Sequence, residues 1–178
     1  MKTGAEKTRD LILAAALKEF AESGFDRTTM DAIAVRAGVA KGSIYYHFPS
    51  KDELWGALFH SRAGRLAELT RAVTGDDGAD LVGVLRAWVD YFWAERDFLE
   101  LLLSEAWRNQ EREALVAELL YRVIEPVLPL LGGDSKGELW GYALFGAIAV
   151  PALHAMKSNS PQTMLDPLIE RLAPLFAR

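Results

Sequence analysis

Cysteine is absent from all 178 residues, which excludes disulfides, thiolate metal sites, thiol nucleophiles and cysteine redox sensing. A reducing cytoplasm is the expected setting. Histidine is scarce, and His47, His60 and His154 lie far apart with no H-E-x-x-H spacing to hold a metal. A phosphate-cradling glycine loop and a G-x-S-x-G elbow are missing too. A helical enzyme therefore has thin support, and neither a metal nor a cofactor is expected. The opening MKTGAEKTRD puts charges where an export signal needs an apolar core, so no such signal is expected. Strand-like alternation and internal repeats are lacking, which leaves an all-helical chain of about nine helices. The one long uncharged window, Leu139 to Met156, is 18 residues and contains Pro151 and His154. That is the lower edge of a membrane span, and a helix buried by protein is the reading taken, with no membrane partner.

What is present is unevenly charged. The net charge of −5 argues against nonspecific coating of nucleic acid. Residues 1 to 60 balance, with eight basic and eight acidic side chains, so the excess of acid belongs to the remainder. Between Arg27 and Lys51 four basic residues face one acid, Asp31. A locally basic head thus precedes an acidic body.

The head reads as three helices and the start of a fourth. Ile12, Leu13, Ala16, Leu17 and Phe20 stripe a first helix from about Glu6 to Glu22, closed by Gly24 and Phe25. Lys2, Lys7 and Arg9 lie in or just after a polar leader that is either a solvated terminus or an arm to phosphates. Met30, Ile33, Ala34 and Ala37 stripe a second helix, with Thr28 or Thr29 as N-cap and Gly38 as a left-handed C′ residue. A third helix of about two turns runs from Ala40 or Lys41 to His47, ended by Phe48 before Pro49. Ser50 and Glu53 form an S-x-x-E capping box for the next helix. Two helices joined by a glycine-containing turn make a helix-turn-helix, whose second helix enters the DNA major groove. The expected division is residues 1–53 for this unit and 54–178 for the body, with a helix over 51–74 linking them.

The stretch FAESGFDRTTMDAIAVRAGVAKGSIYYHFPSKDEL, Phe20 to Leu54, resembles the DNA-binding domain of the tetracycline-repressor (TetR) family of bacterial regulators. The resemblance covers under a third of the chain. It implies a homodimer that binds a palindromic double-stranded operator, represses transcription and is released by a small-molecule effector. It further implies that Lys41, Ser43, Tyr45, Tyr46 and His47 contact DNA, that Thr28 or Thr29 and Lys51 anchor phosphates, and that Ile44 and Phe48 are buried. The residues fit. Ile44 and Phe48 are four apart and share a helix face, and a lysine at the entering end of the helix can donate to guanine O6 and N7. Gly42 within a helix costs about 1 kcal/mol relative to alanine, which a close approach to DNA would explain.

The body carries further apolar stripes. The GDDGAD turn over 75–80 precedes Leu81, Leu85, Trp88, Val89 and Phe92; a possible cap at Asp97 precedes Phe98, Leu99, Leu102, Leu103 and Ala106. A helix from Glu111 to about Leu131 is expected to fray at Pro126 and Pro129 and end at Gly132 and Gly133. Ser135 with Glu138 caps the long apolar helix, and Ser160 with Pro161 starts the last one. Trp88, Tyr91, Phe92, Trp93, Trp107, Tyr121 and His154 are candidates to line an apolar or aromatic effector pocket, with ordinary core packing as the alternative for each. Small residues along Glu138 to Met156 allow close approach of a second copy. Leu139, Tyr142, Ala143, Gly146 and Val150 with Leu165, Ile169 and Leu172 are the candidate dimer contacts. A DNA-binding dimer answering to a protein partner, with no ligand, is the other open possibility.

Overall fold

The computed structural model describes residues 3–75, 80–105, 108, 110–131 and 137–176, and among them the chain forms nine α-helices and no strand. They are α1 (Gly4–Ser23), α2 (Met30–Ala37), α3 (Lys41–His47), α4 (Lys51–Thr74), α5 (Leu81–Ala94), α6 (Arg96–Glu105), α7 (Gln110–Ile124), α8 (Gly137–Lys157) and α9 (Asp166–Phe176). Short 3-10 turns cover Glu125–Leu131 and Gln162–Leu165. Two units emerge, Met1–Ser61 and Arg62–Arg178. The division falls inside α4, later than the expected boundary at residue 53.

In the first unit α1 starts earlier than its apolar stripe. The Thr3 hydroxyl accepts from the Glu6 amide at 3.2 Å and the Glu6 carboxylate accepts from the Thr3 amide at 2.7 Å, a reciprocal capping box. Lys7 and Arg9 are therefore helical rather than parts of an arm, and the Arg9 guanidinium lies 5.2 Å from the Phe48 ring centre. Lys2 falls outside the described residues. Gly38 is left-handed (φ 67, ψ 31), with Gly38 and Val39 amides donating to Val35 and Ala34 carbonyls, the paired bonds of a Schellman stop. Gly24 differs from the expected twin: φ 76 with ψ 160 is a conformation essentially reserved for glycine.

The loop after Gly24 is held from beneath. Lys51, in the first turn of α4, points its ammonium at three backbone carbonyls: Phe25 at 2.8 Å, Thr28 at 2.9 Å and Asp26 at 3.3 Å. The same nitrogen lies 4.4 Å from the Phe25 ring centre. An ammonium has three N–H donors, so these carbonyls occupy all of them. Phe25 also stacks on Phe20 and meets Trp55 edge-on. Thr28 is buried, its hydroxyl donating toward the carbonyls of Gly24 (2.8 Å) and Glu19 (3.1 Å), while Thr29 caps α2 by accepting from the Ala32 amide. The Ser50 hydroxyl accepts from the Glu53 amide at 3.1 Å, as the S-x-x-E spacing predicts.

In the second unit α8 packs against α5, α6, α7 and α9. Gly141 permits this: a Cβ there would come within 3.0 Å of Ile124 on α7. Trp88 is fully buried and its Nε1 donates to Thr70 Oγ1 at 2.9 Å, joining α5 to α4. The Tyr91 hydroxyl donates to the Arg62 carbonyl at 2.7 Å, and burial raises its pKa, keeping it protonated as that donor. Arg62 pairs with Glu95 at 2.5 Å.

Several expected boundaries move. The α-helix of α7 stops at Ile124 and continues as a 3-10 turn through Pro126 and Pro129, since proline removes the backbone donors an α-helix needs. Pro161 leads into a 3-10 turn, and α9 begins at Asp166 with Pro167 in its first turn, where a missing N–H costs nothing. Asp97 lies inside α6 rather than capping it, whereas Asp80 caps α5 by accepting from the Gly83 amide at 2.7 Å. Ala106, Gly132, Gly133 and Ser135 lie outside the described residues.

Lys51→Met keeps the stem and deletes the charged hydrogen bonds, so it is expected to lower stability by about 2 kcal/mol. Chemical denaturation followed by circular dichroism measures this; unchanged stability would mean that the lysine ties nothing down.

Candidate nucleic-acid interface and body cavity

The α2–turn–α3 segment presents two unlike faces. Ile44 (0% exposed) and Phe48 (3%) point into the first unit's core. Lys41, Gly42, Tyr45 and Tyr46 are exposed, Tyr46 at 82%, while Ser43 and His47 are half-buried. A seven-residue helix thus uses one side to hold itself and offers the other to a partner. A Cβ on Gly42 would meet nothing within 4 Å, so no contact inside the protein requires glycine there.

Lys41 is not a lone cation. Its ammonium pairs with Asp31 Oδ2 at 2.8 Å across the turn, and that hydrogen bond, with the carboxylate's charge, raises the lysine pKa. Both side chains are more than half exposed, so water and salt screen the pair. Asp31 is a neighbour of the candidate contacts that the sequence pattern does not single out. Its signal was only that it is the one acid in an otherwise basic stretch. Arg36 is committed elsewhere, donating to Glu19 at 2.6 Å and twice to Glu22, which also raises its pKa, Glu22 most. Two expected phosphate anchors have their donors engaged inside the first unit. Thr28 is 2% exposed and its hydroxyl serves the carbonyls of Gly24 and Glu19; Lys51 spends its donors on the Phe25–Thr28 loop. Thr29 remains exposed, with its hydroxyl engaged as the α2 cap.

The second unit contains a separate cavity of about 450 Å³ between α6, α7 and α8. Leu102, Leu103, Val116, Leu120 and Phe145 give it apolar walls; Ala117 and Gly146 add little bulk, and Glu113 and Tyr142 are its polar members. A Cβ on Gly146 would meet nothing within 4 Å, which marks open space beside α8. Burial, and then the neighbouring Glu138 carboxylate, raises the Tyr142 pKa.

None of the nominated aromatics among the described residues lines this cavity. Trp88 and Phe92 are core residues that pack edge-on against Phe145, forming a layer behind its wall. Tyr91 is buried on Arg62, and Trp93 is half-buried. Tyr121 is exposed, as is His154, so the expected core histidine is a surface one. Trp107 lies outside the described residues. The dimer candidates separate as well. Leu139 (73% exposed), Ala143 and Val150 (57%) form an outward row on α8, joined by Trp140. Tyr142 and Gly146 belong to the cavity; Leu165 and Ile169 are buried in their own chain, and Leu172 is half-buried. By length and composition α8 is apolar enough to cross a membrane, and its inward side is the buried core just described.

Comparison with known proteins matches residues 12–58 to the family described as bacterial regulatory proteins, tetR family. The chain is 41% identical over 85 residues to the HTH-type transcriptional regulator TtgR of Pseudomonas putida, covering 48% of this chain and 40% of that protein. It is 29% identical over 126 residues to the regulator AcrR of Shigella flexneri, covering 70% of this chain and 53% of the relative. The matched stretch therefore spans about half or less of these curated relatives. Among solved structures, a TetR-like transcriptional regulator from Rhodococcus sp. RHA1 is similar with TM-score 0.74 and 28% identity, over 93% of each chain. FadR of Bacillus subtilis, solved with stearoyl-CoA, has TM-score 0.79 at 21% identity, over 92% of this chain and 97% of that one, a likeness of fold alone.

Removing the acid beside Lys41 is expected to loosen discrimination. Asp31→Asn should tighten binding to arbitrary duplex DNA about three- to tenfold at low salt, because one repulsion and one competitor for the ammonium disappear. Fluorescence anisotropy with a random-sequence duplex reads it; unchanged affinity would place Asp31 outside the interface.

Proposed function

The chain belongs to the tetR family of bacterial regulatory proteins, and from that premise we propose that it is a cytoplasmic, ligand-responsive repressor acting as a homodimer on a palindromic operator. The observation that carries this reading is the outward face of α3, where Lys41, Gly42, Tyr45 and Tyr46 stand exposed on a helix anchored by Ile44 and Phe48. Lys41 has the reach and donors for guanine, and the tyrosines supply apolar rings with a hydroxyl for phosphate or base edges. Gly42 lets the α3 backbone come near the duplex. Ser43 and His47 complete the contact set, and Thr29 adds its exposed position at the start of α2.

One such helix reads only a few base pairs, so selectivity needs a second. The second copy docks on the outward row of α8, Leu139, Trp140, Ala143 and Val150, with exposed Leu175 of α9 extending the apolar surface. Two recognition helices then meet successive major grooves about 34–36 Å apart. The cavity between α6, α7 and α8 takes a small effector, and its occupation favours a body conformation in which that spacing is lost.

Two measurements test this. Lys41→Ala should weaken binding to the selected operator by about 1–3 kcal/mol and lower the ratio of specific to nonspecific affinity; an unchanged ratio counts against α3 as the reader. Val150→Arg should turn a dimer into a monomer in sedimentation at micromolar concentration with helicity intact, and a variant that stays dimeric would move the interface off α8.

A further inference from the structure

We infer that the effector of the α6–α8 cavity is a lipophilic cation, an apolar body bearing one amine or quaternary ammonium group, rather than a fatty acid or an acyl-CoA. The inference rests on the proposed effector role of that cavity and concerns its chemistry. The walls are hydrocarbon and one phenyl ring, while the polar lining groups are the Glu113 carboxylate and the Tyr142 hydroxyl, with no Lys, Arg or His among the described lining residues. Glu138, facing the Tyr142 hydroxyl, adds a second carboxylate on that side.

The described cations nearby are already committed. Arg112 is buried against Glu105, and Arg108 reaches the same carboxylate at 3.3 Å. Arg122 pairs with Glu118 at 2.7 Å on the outer face of α7. An anionic headgroup entering here would meet carboxylates with no basic residue among the described lining to receive it. An ammonium meets the opposite: Glu113 is exposed at the rim, so the cation keeps part of its hydration while gaining a counter-ion, and the Tyr142 and Phe145 rings offer π faces. About 450 Å³ suits a drug-sized molecule or a medium alkyl chain, and the open space beside Gly146 is where its apolar body lies.

Calorimetric titration of the full chain with three decyl probes of equal length tests the inference: decyltrimethylammonium, decanol and decanoate, each below its aggregation limit. The ammonium is expected to bind about tenfold more tightly than decanol, with decanoate weakest. Glu113→Gln should bring the ammonium and the alcohol within about threefold of each other without weakening the alcohol. Gly146→Leu, which fills the open space with no backbone in the way, should weaken ammonium and alcohol alike about tenfold while the melting curve stays cooperative. Decanoate binding as well as the ammonium, or a preference untouched by Glu113→Gln, overturns the cation assignment; if Gly146→Leu still blocks binding, the cavity's effector role stands. No binding by any probe, or binding indifferent to Gly146→Leu, overturns both.

Discussion

Three carbonyl oxygens converging on the Lys51 ammonium hold the first unit together at the point where its backbone is least regular. The loop after α1 contains Gly24 in a glycine-only conformation and presents four consecutive residues, Phe25 to Thr28, whose polar backbone groups need partners close to the protein interior. Lys51 supplies donors from the first turn of α4, although a cation there opposes the helix dipole. Its charge is absorbed by carbonyl oxygens and the face of Phe25, which is itself wedged between Phe20 and Trp55. Once this loop is set, Thr29 can cap α2, Gly38 can turn the chain, and α3 is presented with Ile44 and Phe48 inward.

This arrangement also separates holding from reading. Thr28 and Lys51 have side chains suited to phosphate, yet both are spent on internal carbonyls. In the proposed function, what remains for a duplex is the outward side of α3, where Asp31 pairs with its one lysine. Coulomb attraction at that surface is modest, since the first sixty residues are neutral overall. On the proposed reading, recognition depends on geometry and on a second copy more than on bulk charge.

Local features were legible in the residues because their physics is local. The Gly38 stop, the S-x-x-E start at Ser50, the inward pair Ile44 and Phe48, and the apolar stripes of α1, α2 and α5 all involve partners within a few positions. The Lys51 tie was not legible, because its acceptors lie 23 to 26 residues upstream and any lysine in a helix-turn-helix frame invites a phosphate. The α8 face was ambiguous for another reason. A helix apolar on nearly every side carries no period to say which side is out, so nothing in its sequence shows that His154 is exposed, and the apolar spacing after Pro161 does not distinguish a partner from the chain's own core, which buries Leu165 and Ile169. The cavity is a gap among three helices, with open space beside Gly146. Counting aromatics drew attention instead to Trp88 and Phe92, which back its wall without lining it.

Selection of duplexes from a random pool by the purified full chain, followed by sequencing, tests the central claim most directly: that α3 reads DNA and does so in pairs. The expected outcome is an inverted repeat whose half-site centres lie about 10 base pairs, or a multiple of that, apart. Enrichment of a single unrepeated motif would contradict the paired reader, and no enrichment at all would contradict the assignment of α3 to DNA.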